Sequence, residues 1–116
     1  MSRGPESKIV AAIVARLKAL KRAGAPIWWA KLHGGPMQRA GLPDLLILGV
    51  GQLYAVEVKR PGGQATGLQL RELAELGAAG AVAIVATTRD EALGPLEARL
   101  KCFGRFHQRK ERRDER

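Results

Sequence analysis

Three residues of the types that hydrolytic enzymes use lie on two short apolar segments of the chain. Asp44 begins the segment 44–48, whereas Glu57 and Lys59 end the segment 53–59, and a glycine-containing turn joins the two. Short apolar runs bounded by turn residues are typical of β-strands, so the sequence predicts a hairpin. Two carboxylates and a nearby lysine are suited to general acid–base chemistry or to metal-assisted hydrolysis.

The turn predicts which residues of the two strands face each other. A two-residue loop at Val50 and Gly51, or a four-residue loop with the same centre, places Asp44 directly opposite Glu57. Their Cβ atoms would lie about 4.5–5.5 Å apart on one face of the sheet. Lys59 would project from that face too, because side chains alternate along a strand. A three- or five-residue loop would reverse the faces of one strand and separate the acids.

Two facing carboxylates require an explanation in a small domain. Like charges directly opposite on a sheet are destabilising, and a divalent cation would relieve the repulsion. Mg²⁺ binds carboxylate oxygens and keeps several waters, and a bound metal activates water and neutralises charge on a phosphoryl group. Lys59 would then orient or deprotonate the attacking water, or hold a phosphate oxygen. From geometry alone, a solvated polar edge of the sheet is the alternative.

The charge of the chain favours nucleic acid as the partner. The 116 residues include 20 Lys and Arg against 11 Asp and Glu, a formal net charge of +9. Residues 101–116 contribute +4 and the preceding 100 residues contribute +5, so the excess is not confined to the tail. Each phosphate that such a surface neutralises releases counterions and favours binding. A basic protein with no such partner is the alternative.

The elements that must position these residues follow from the hydrophobic periodicity. Their order is α-β-β-β-α-β-α, which predicts an α/β fold with a mixed β-sheet flanked by helices. Gly94-Pro95 is a point at which the last helix could break. The predicted elements are a helix that begins at Pro5 and ends before Gly24, strands 27–33, 44–48 and 53–59, a helix 66–76, a strand 81–87 and a helix 90–100.

The helix that follows the hairpin has two further features. Leu70, Leu73 and Leu76 are expected to form its buried stripe. Thr66 and Gln69 have the spacing of a capping box, in which each side chain caps a backbone N–H of the other residue. A structural role for Gln69 at the start of its own helix therefore follows from the sequence.

The segments that carry these residues, taken in order, resemble a known family. Gly-Leu-Pro-Asp at 41–44 and Glu-Val-Lys at 57–59 resemble the PD-(D/E)XK nuclease signature. The wider match resembles the VRR-NUC family of virus-type replication and repair nucleases, and it covers about residues 5–88. The matching parts are residues 31–34, 39–44 and 57–63, together with Gln69.

The resemblance implies a fold and an activity. It implies a restriction-endonuclease-like fold and a Mg²⁺-dependent endodeoxyribonuclease that hydrolyses phosphodiester bonds, with Mn²⁺ able to replace Mg²⁺. Standalone, phage-like members resemble junction-cutting dimers, whereas fused members act on flapped or branched DNA. We therefore expect a structure-selective homodimer acting on four-way junctions or other branched DNA. A non-catalytic nucleic-acid-binding module of the same fold is the first alternative, and a structural protein with an incidental basic surface is the second.

The resemblance also implies roles for individual residues. Asp44 and Glu57 would bind the metal, Lys59 would be the catalytic lysine, and Gln69 would contribute to the active site. Glu6 matches the acidic residue on the family's first helix, which approaches the metal site from the side. It would then be a further metal ligand and catalytic residue, although it could serve only the helix dipole.

Several residues outside the acidic set are candidates for contacts with partners. Four basic side chains near the glycine-rich segments would suit contacts with DNA phosphates: Lys31, His33, Arg39 and Arg60. His33 could instead be an ordinary strand residue. The large apolar residues Trp28, Trp29, Phe103 and Phe106 exceed what a core this size can readily hold, which favours a homodimer. The two tryptophans face opposite sides of their strand, so one is expected in the core and the other could contact a partner chain or DNA, although packing is the favoured role for both.

The domain organisation and location follow from what the sequence lacks. One cysteine, Cys102, cannot form an internal disulfide, and no Cys/His cluster suggests zinc. The N-terminus lacks a signal-peptide apolar region, and no apolar run approaches the ~20 residues of a membrane span. We expect one nuclease domain over residues 1–104, a basic flexible tail over residues 105–116, and a location in the cytoplasm of a bacterial or phage-infected cell.

Overall fold

Three helices and four strands appear in the predicted order. The computed structural model describes residues 4–32 and 39–114, with side chains as far as Phe103. The predicted strand end at His33 lies outside the described residues. The elements are α1 (Pro5–Arg22), β1 (Ile27–Lys31), β2 (Leu45–Gly49), β3 (Gln52–Val58), α2 (Gly67–Ala78), β4 (Val82–Ala86) and α3 (Arg89–Asp114).

The four strands form one mixed sheet in the spatial order β1-β2-β3-β4. The pairs β1–β2 and β2–β3 are antiparallel, whereas β3 and β4 are parallel. A parallel pair requires a long crossover connection, and α2 provides it. The predicted α/β class and the mixed sheet are therefore confirmed.

The β2–β3 hairpin has the tighter of the two loops that the sequence allows. Gly49 pairs with Gln52, so only Val50 and Gly51 form the loop. Both have positive φ, 52° and 75°, as a two-residue hairpin turn requires. Positive φ is unfavourable for a β-branched residue, and the Arg99 Nε donates to the Val50 carbonyl oxygen at 2.9 Å. The predicted register is confirmed.

One face of the sheet packs against α1 and α3. The side chains of β2 that point to this face alternate with more exposed ones on the opposite face, whereas the second half of β3 is buried on both faces. These residues are fully buried, together with the apolar stripes of the two helices that cover them: Leu45, Ile47, Val56, Val58, Ile13, Leu17, Leu93 and Leu96. The core therefore lies between this face and the two long helices.

The opposite face carries α2 over β3 and β4. Glu72 and Leu73 are its buried residues, whereas Leu70 is 52% exposed. The buried stripe is thus rotated from the predicted one, and the prediction for Leu70 was wrong. On the side of this face formed by β1 and β2, the cross-strand partners Trp28 and Leu48 are 52% and 42% exposed.

The two tryptophans have different environments. Trp29 packs against the core, and the Lys21 ammonium lies 5.5 Å from its ring centroid. Trp28 is exposed, so the prediction that both tryptophans pack was wrong for this residue. Neighbouring residues of a strand point to opposite faces, and only the face of Trp29 is covered at β1.

Helix α3 is longer than the sequence predicts. It continues through Pro95 without a break and reaches Asp114, whereas the predicted end is Leu100. Proline removes one helical hydrogen bond, but burial of Leu93 and Leu96 on either side supplies tertiary packing that outweighs the loss. The flexibility of residues 105–116 stays a prediction. Among the described residues, no helix is both long and apolar enough to cross a bilayer.

Candidate active site

Asp44 and Glu57 lie at the end of the β2–β3 ladder. The pair is one position beyond the facing residues Leu45 and Val56, in the predicted register. The Val58 backbone N–H donates to Asp44 Oδ2 at 2.7 Å, so the aspartate is tied to the strand that carries Glu57. The hairpin therefore brings the two predicted acids together.

Glu57 is almost completely buried, at 2% exposure, and among the residues that the structure describes only one of its carboxylate oxygens has a hydrogen-bond partner. Glu57 Oε1 accepts a hydrogen bond from Gln69 Nε2 at 3.0 Å and lies 3.6 Å from Lys59 Nζ. Glu57 Oε2 is buried and has no hydrogen-bond partner among the described residues. Burial and then the neighbouring charge of Asp44 raise the pKa of Glu57 to about 7, although Lys59 opposes the shift.

This environment is suited to a hard divalent cation. A buried carboxylate oxygen without a partner is destabilising, and such an atom in a native protein calls for an explanation such as an ion. The available donors are carboxylate oxygens of Glu57 and of the adjacent Asp44, which are the ligands that Mg²⁺ prefers. The residues present therefore fit the predicted metal.

Glu6 lies at the N-terminal turn of α1 and borders the acidic pair without joining it. Within the described ranges, no three His, Cys, Asp or Glu side chains are grouped closely enough to hold one ion. Glu6 Oε2 accepts from the Arg60 backbone N–H at 3.5 Å, the outer limit of a hydrogen bond. Glu6 thus lies beside the acidic pair, as the resemblance to the family implies, while its role as a metal ligand stays a prediction.

Two open clefts meet at Glu6 and Ser7. One has a volume of about 480 Å³ and reaches Asp44 and Lys31; the other has a volume of about 440 Å³ and reaches Lys59 and Arg60. Lys31 and Arg60, two of the predicted phosphate-binding residues, therefore line clefts that open onto the acidic site. His33, a third candidate, lies outside the described residues.

Gln69 completes the predicted capping box and also contacts Glu57, whereas its contribution to catalysis stays a prediction. The Gln69 backbone N–H donates to Thr66 Oγ1 at 3.2 Å, and the Thr66 N–H donates to Gln69 Oε1 at 2.9 Å, which completes the predicted capping box. Because Oε1 is the only acceptor of the amide, this bond directs the Nε2 donor toward Glu57. The cap therefore fixes the orientation of the amide that contacts Glu57.

Arg39 has a protein partner that the sequence analysis did not identify. Its guanidinium forms an ion pair with Glu72, with Nη2 and Oε2 2.6 Å apart. The Arg39 side chain is 69% exposed, whereas that of Glu72 is 11% exposed. Glu72 is three residues after Gln69 on α2, and an acidic residue in the buried stripe of a helix was the available signal. The partner of Glu72 could not be predicted from sequence spacing, because Arg39 lies 33 residues earlier in the chain.

Together, the fold and the site define a nuclease-type α/β domain, a mixed sheet flanked by helices with an Asp, a Glu and a Lys at one end of a hairpin. A solved structure described as "VRR_NUC domain" is similar to this chain, with a TM-score of 0.65 and 26% sequence identity, covering 82% of this chain and 97% of that chain. The chain has a VRR-NUC fold, and the resemblance that its motifs suggest is confirmed. No protein-family model and no curated protein matches this chain.

Proposed function

We propose that this protein is a metal-dependent DNA endonuclease that hydrolyses phosphodiester bonds and selects branched DNA, such as four-way junctions. The observation that carries the proposal is the buried Glu57 carboxylate, whose Oε2 has no partner among the described residues, beside Asp44 and Lys59. A site that only binds DNA gains nothing from clustered acids, because they repel phosphate. The nuclease-type fold supports the same activity.

Asp44 and Glu57 are the residues that would hold Mg²⁺, with Mn²⁺ as a substitute and Glu6 as a further acidic contributor. When bound, the ion would lower the pKa of water and offset negative charge on the phosphate. The protein's own part is to hold the two carboxylates together. Val58 does this for Asp44 through its backbone N–H, and Gln69 does it for Glu57 through its amide.

Lys59 is the proposed catalytic lysine. Its ammonium lies 3.6 Å from Glu57 Oε1, and its side chain is 13% exposed, so the charge is largely shielded from solvent. A cation in such a position can hold a phosphate oxygen or orient the attacking water, and its attraction is stronger than it would be in bulk water. Lys59 also lines the cleft that Arg60 borders, which gives a DNA strand a route to the ammonium.

The substrate is proposed to be DNA because of charge and access. The chain carries a formal charge of +9, and the clefts on either side of Glu6 are lined by Lys31 and by Arg60. These side chains are available for phosphate contacts that position a strand without reading its sequence. Selection of branched DNA would follow from a homodimer, because two sites related by a two-fold axis can cut two strands symmetrically.

The test is a cleavage assay on matched DNA substrates. Linear duplex, flap, splayed-arm and four-way junction DNA of shared sequence would be incubated with the protein in Mg²⁺, Mn²⁺ or EDTA. We expect metal-dependent cleavage that is strongest on branched substrates and absent from an Asp44→Ala/Glu57→Ala variant. Equal cleavage by that variant would refute the assigned site. DNA binding without cleavage by the wild type in either metal would favour the non-catalytic binding module.

A further inference from the structure

Helix α2 contacts the surroundings of both acidic residues through one face. Gln69 donates to Glu57 at 3.0 Å, and Glu72 binds Arg39, which lies in the segment that leads to Asp44. Residues three apart on a helix lie on the same side, so one rigid element reaches both β3 and the segment before β2. The distance between the two acids is therefore linked to the position of this helix.

The ion pair is anchored at its acidic end. Glu72 is 8% exposed and packs beside the buried Leu73, so its carboxylate has little access to water. A carboxylate in such a place requires a charged or hydrogen-bonding partner, and the Arg39 guanidinium supplies one at 2.6 Å. Glu75 also acts electrostatically on Arg39, but the hydrogen bond to Glu72 is the larger influence.

A second contact holds the same segment against α2. Gly41 has φ +87°, and a Cβ atom at this position would lie 2.8 Å from Leu68 Cγ and 2.9 Å from the Leu68 carbonyl oxygen. The backbone of the segment thus packs directly on the first turn of the helix. Pro43 is fully buried and restricts the chain immediately before Asp44. The segment between Arg39 and Asp44 therefore has little conformational freedom.

We propose that Glu72 is a positioning residue, which holds Arg39 and, through residues 39–43, places the Asp44 carboxylate next to Glu57. This inference rests on the proposed function in assigning the two acids to a metal site. It gives Arg39 a role different from the predicted phosphate contact. Loss of the ion pair releases the segment, and the carboxylate of Asp44 moves relative to β3.

The position of Asp44 has a direct readout in the metal-free protein. The Val58 N–H donates to Asp44 Oδ2 at 2.7 Å, whereas the N–H of the next residue, Lys59, donates to the Ala86 carbonyl oxygen at 2.9 Å. Amide hydrogen exchange at Val58 therefore reports on the aspartate, and exchange at Lys59 reports on the β3–β4 ladder. The two neighbouring amides provide a measurement and its internal control.

The experiment compares Arg39→Ala and Glu72→Gln with the matched control Glu75→Gln. We expect exchange at the Val58 amide to become about tenfold faster in the first two variants and less than about twofold faster in the control, with Lys59 unchanged in all three. Glu75→Gln removes the same charge from the same helix without breaking a hydrogen bond to Arg39. Unchanged exchange at Val58 in both Arg39→Ala and Glu72→Gln would overturn the proposal.

A charge-swapped pair separates positioning from contact with DNA. Arg39→Ala alone should lower the Mn²⁺ affinity measured by calorimetry by about tenfold. In Arg39→Glu/Glu72→Arg, we expect slow exchange at the Val58 amide to return and the Mn²⁺ affinity to recover. If Arg39 instead bound phosphate, Arg39→Ala would weaken metal-free DNA binding and the swap would weaken it further, with Mn²⁺ affinity unaffected. That result would overturn the proposal. A wild type that neither binds Mn²⁺ nor cleaves DNA would refute the proposed function, whereas the Val58 amide would still test the placement of Asp44.

Discussion

Gln69 and Glu57 are joined by a hydrogen bond of 3.0 Å whose donor is fixed by the helix cap of the same glutamine. The Thr66 backbone N–H donates to the amide oxygen of Gln69, so the amide nitrogen faces the Glu57 carboxylate. The start of α2 and the most buried acid of the site are thus one hydrogen-bonded unit. This unit allows the structural role of Gln69 in the cap and its proposed role in catalysis to be tested separately by mutation.

The first prediction is that Gln69→Glu keeps the cap and loses activity. Glutamate satisfies the capping box as well as glutamine does, but it presents an acceptor, and a charge, to Glu57. We expect kcat/KM to fall by about 10- to 100-fold, the equivalent of a lost hydrogen bond to a charged group, and the melting temperature to fall because a second carboxylate then faces the buried Glu57. Gln69→Ala should lose about 1 kcal/mol of stability as well. Full activity in Gln69→Glu would show that the contact with Glu57 is dispensable.

The second prediction concerns the acidic pair and the lysine. Asp44→Ala and Glu57→Ala should each abolish cleavage yet keep or tighten DNA binding, because an acid near phosphate is removed together with the metal site. Lys59→Ala should also lose cleavage, but with Mn²⁺ binding retained in calorimetry. Asp90→Ala is the matched control, since its carboxylate is exposed and distant in sequence. Metal binding retained in Asp44→Ala/Glu57→Ala would contradict the assignment.

The third prediction is a pH dependence of stability that belongs to Glu57. The pKa of this carboxyl rises from its ordinary 4.5 to about 7 on folding, so the folded state binds more protons than the unfolded state between these values. The free energy of unfolding should therefore fall as the pH rises from 4.5 to 7, by roughly 1–3 kcal/mol. Urea denaturation in the presence of EDTA over this pH range measures the free energy of unfolding.

The control for this titration is Glu57→Gln, which removes the titrating group and should flatten the profile over the same range. Glu91 does not interfere, because hydrogen bonds from Thr87 lower the pKa of its carboxyl. Its contribution is lost only as the pH falls below the ordinary glutamate range. Identical profiles for wild type and Glu57→Gln would show that Glu57 is not the group responsible.

The fourth prediction concerns electrostatic binding to DNA. Lys31→Ala and Arg60→Ala should each weaken binding to duplex DNA and reduce the slope of log K against log salt by about 0.9. Arg16→Ala is the control, because it removes the same positive charge from a side chain that is already paired with Glu97 at 2.6 Å. Deleting residues 107–116 should lower affinity uniformly and leave the cut positions unchanged. A shifted cut would mean that the tail reads substrate geometry.

The fifth prediction is a homodimer in solution. A domain with one acidic site cuts one strand in each encounter, whereas symmetric nicking of a junction needs two sites on a two-fold axis. The exposed pair Trp28 and Leu48 leaves apolar surface uncovered in the single chain. Sedimentation equilibrium at micromolar concentration should give twice the mass of 12.5 kDa. A monomeric mass with and without junction DNA would instead favour a nickase or a flap-cutting enzyme.

The sequence predicts what is local. The hairpin register follows from the two-residue turn at Val50 and Gly51, and with it the pairing of Asp44 with Glu57. The cap of α2 follows from a three-residue spacing in the same way. In each case the interacting groups are fixed by backbone geometry over a short stretch of chain.

What the sequence does not predict depends on long-range packing. Leu70 points outward because the face of α2 that turns inward carries Gln69 and Glu72, each with a polar partner from another element. The spacing of the leucines in the sequence instead favours a rotation of α2 that would bury Leu70. Helix α3 passes through Pro95 because burial on both sides outweighs one lost hydrogen bond.

The short loop of the β2–β3 hairpin also has a consequence for the order in which the protein folds. Hairpins close within roughly 1–10 μs, whereas the parallel β3–β4 pairing must wait for the whole α2 crossover. We therefore expect the mutual repulsion of Asp44 and Glu57 to act on the chain early, before Gln69 and the ion pair of Glu72 can oppose it. Divalent cations present during refolding would then accelerate the folding reaction itself as well as stabilise its product.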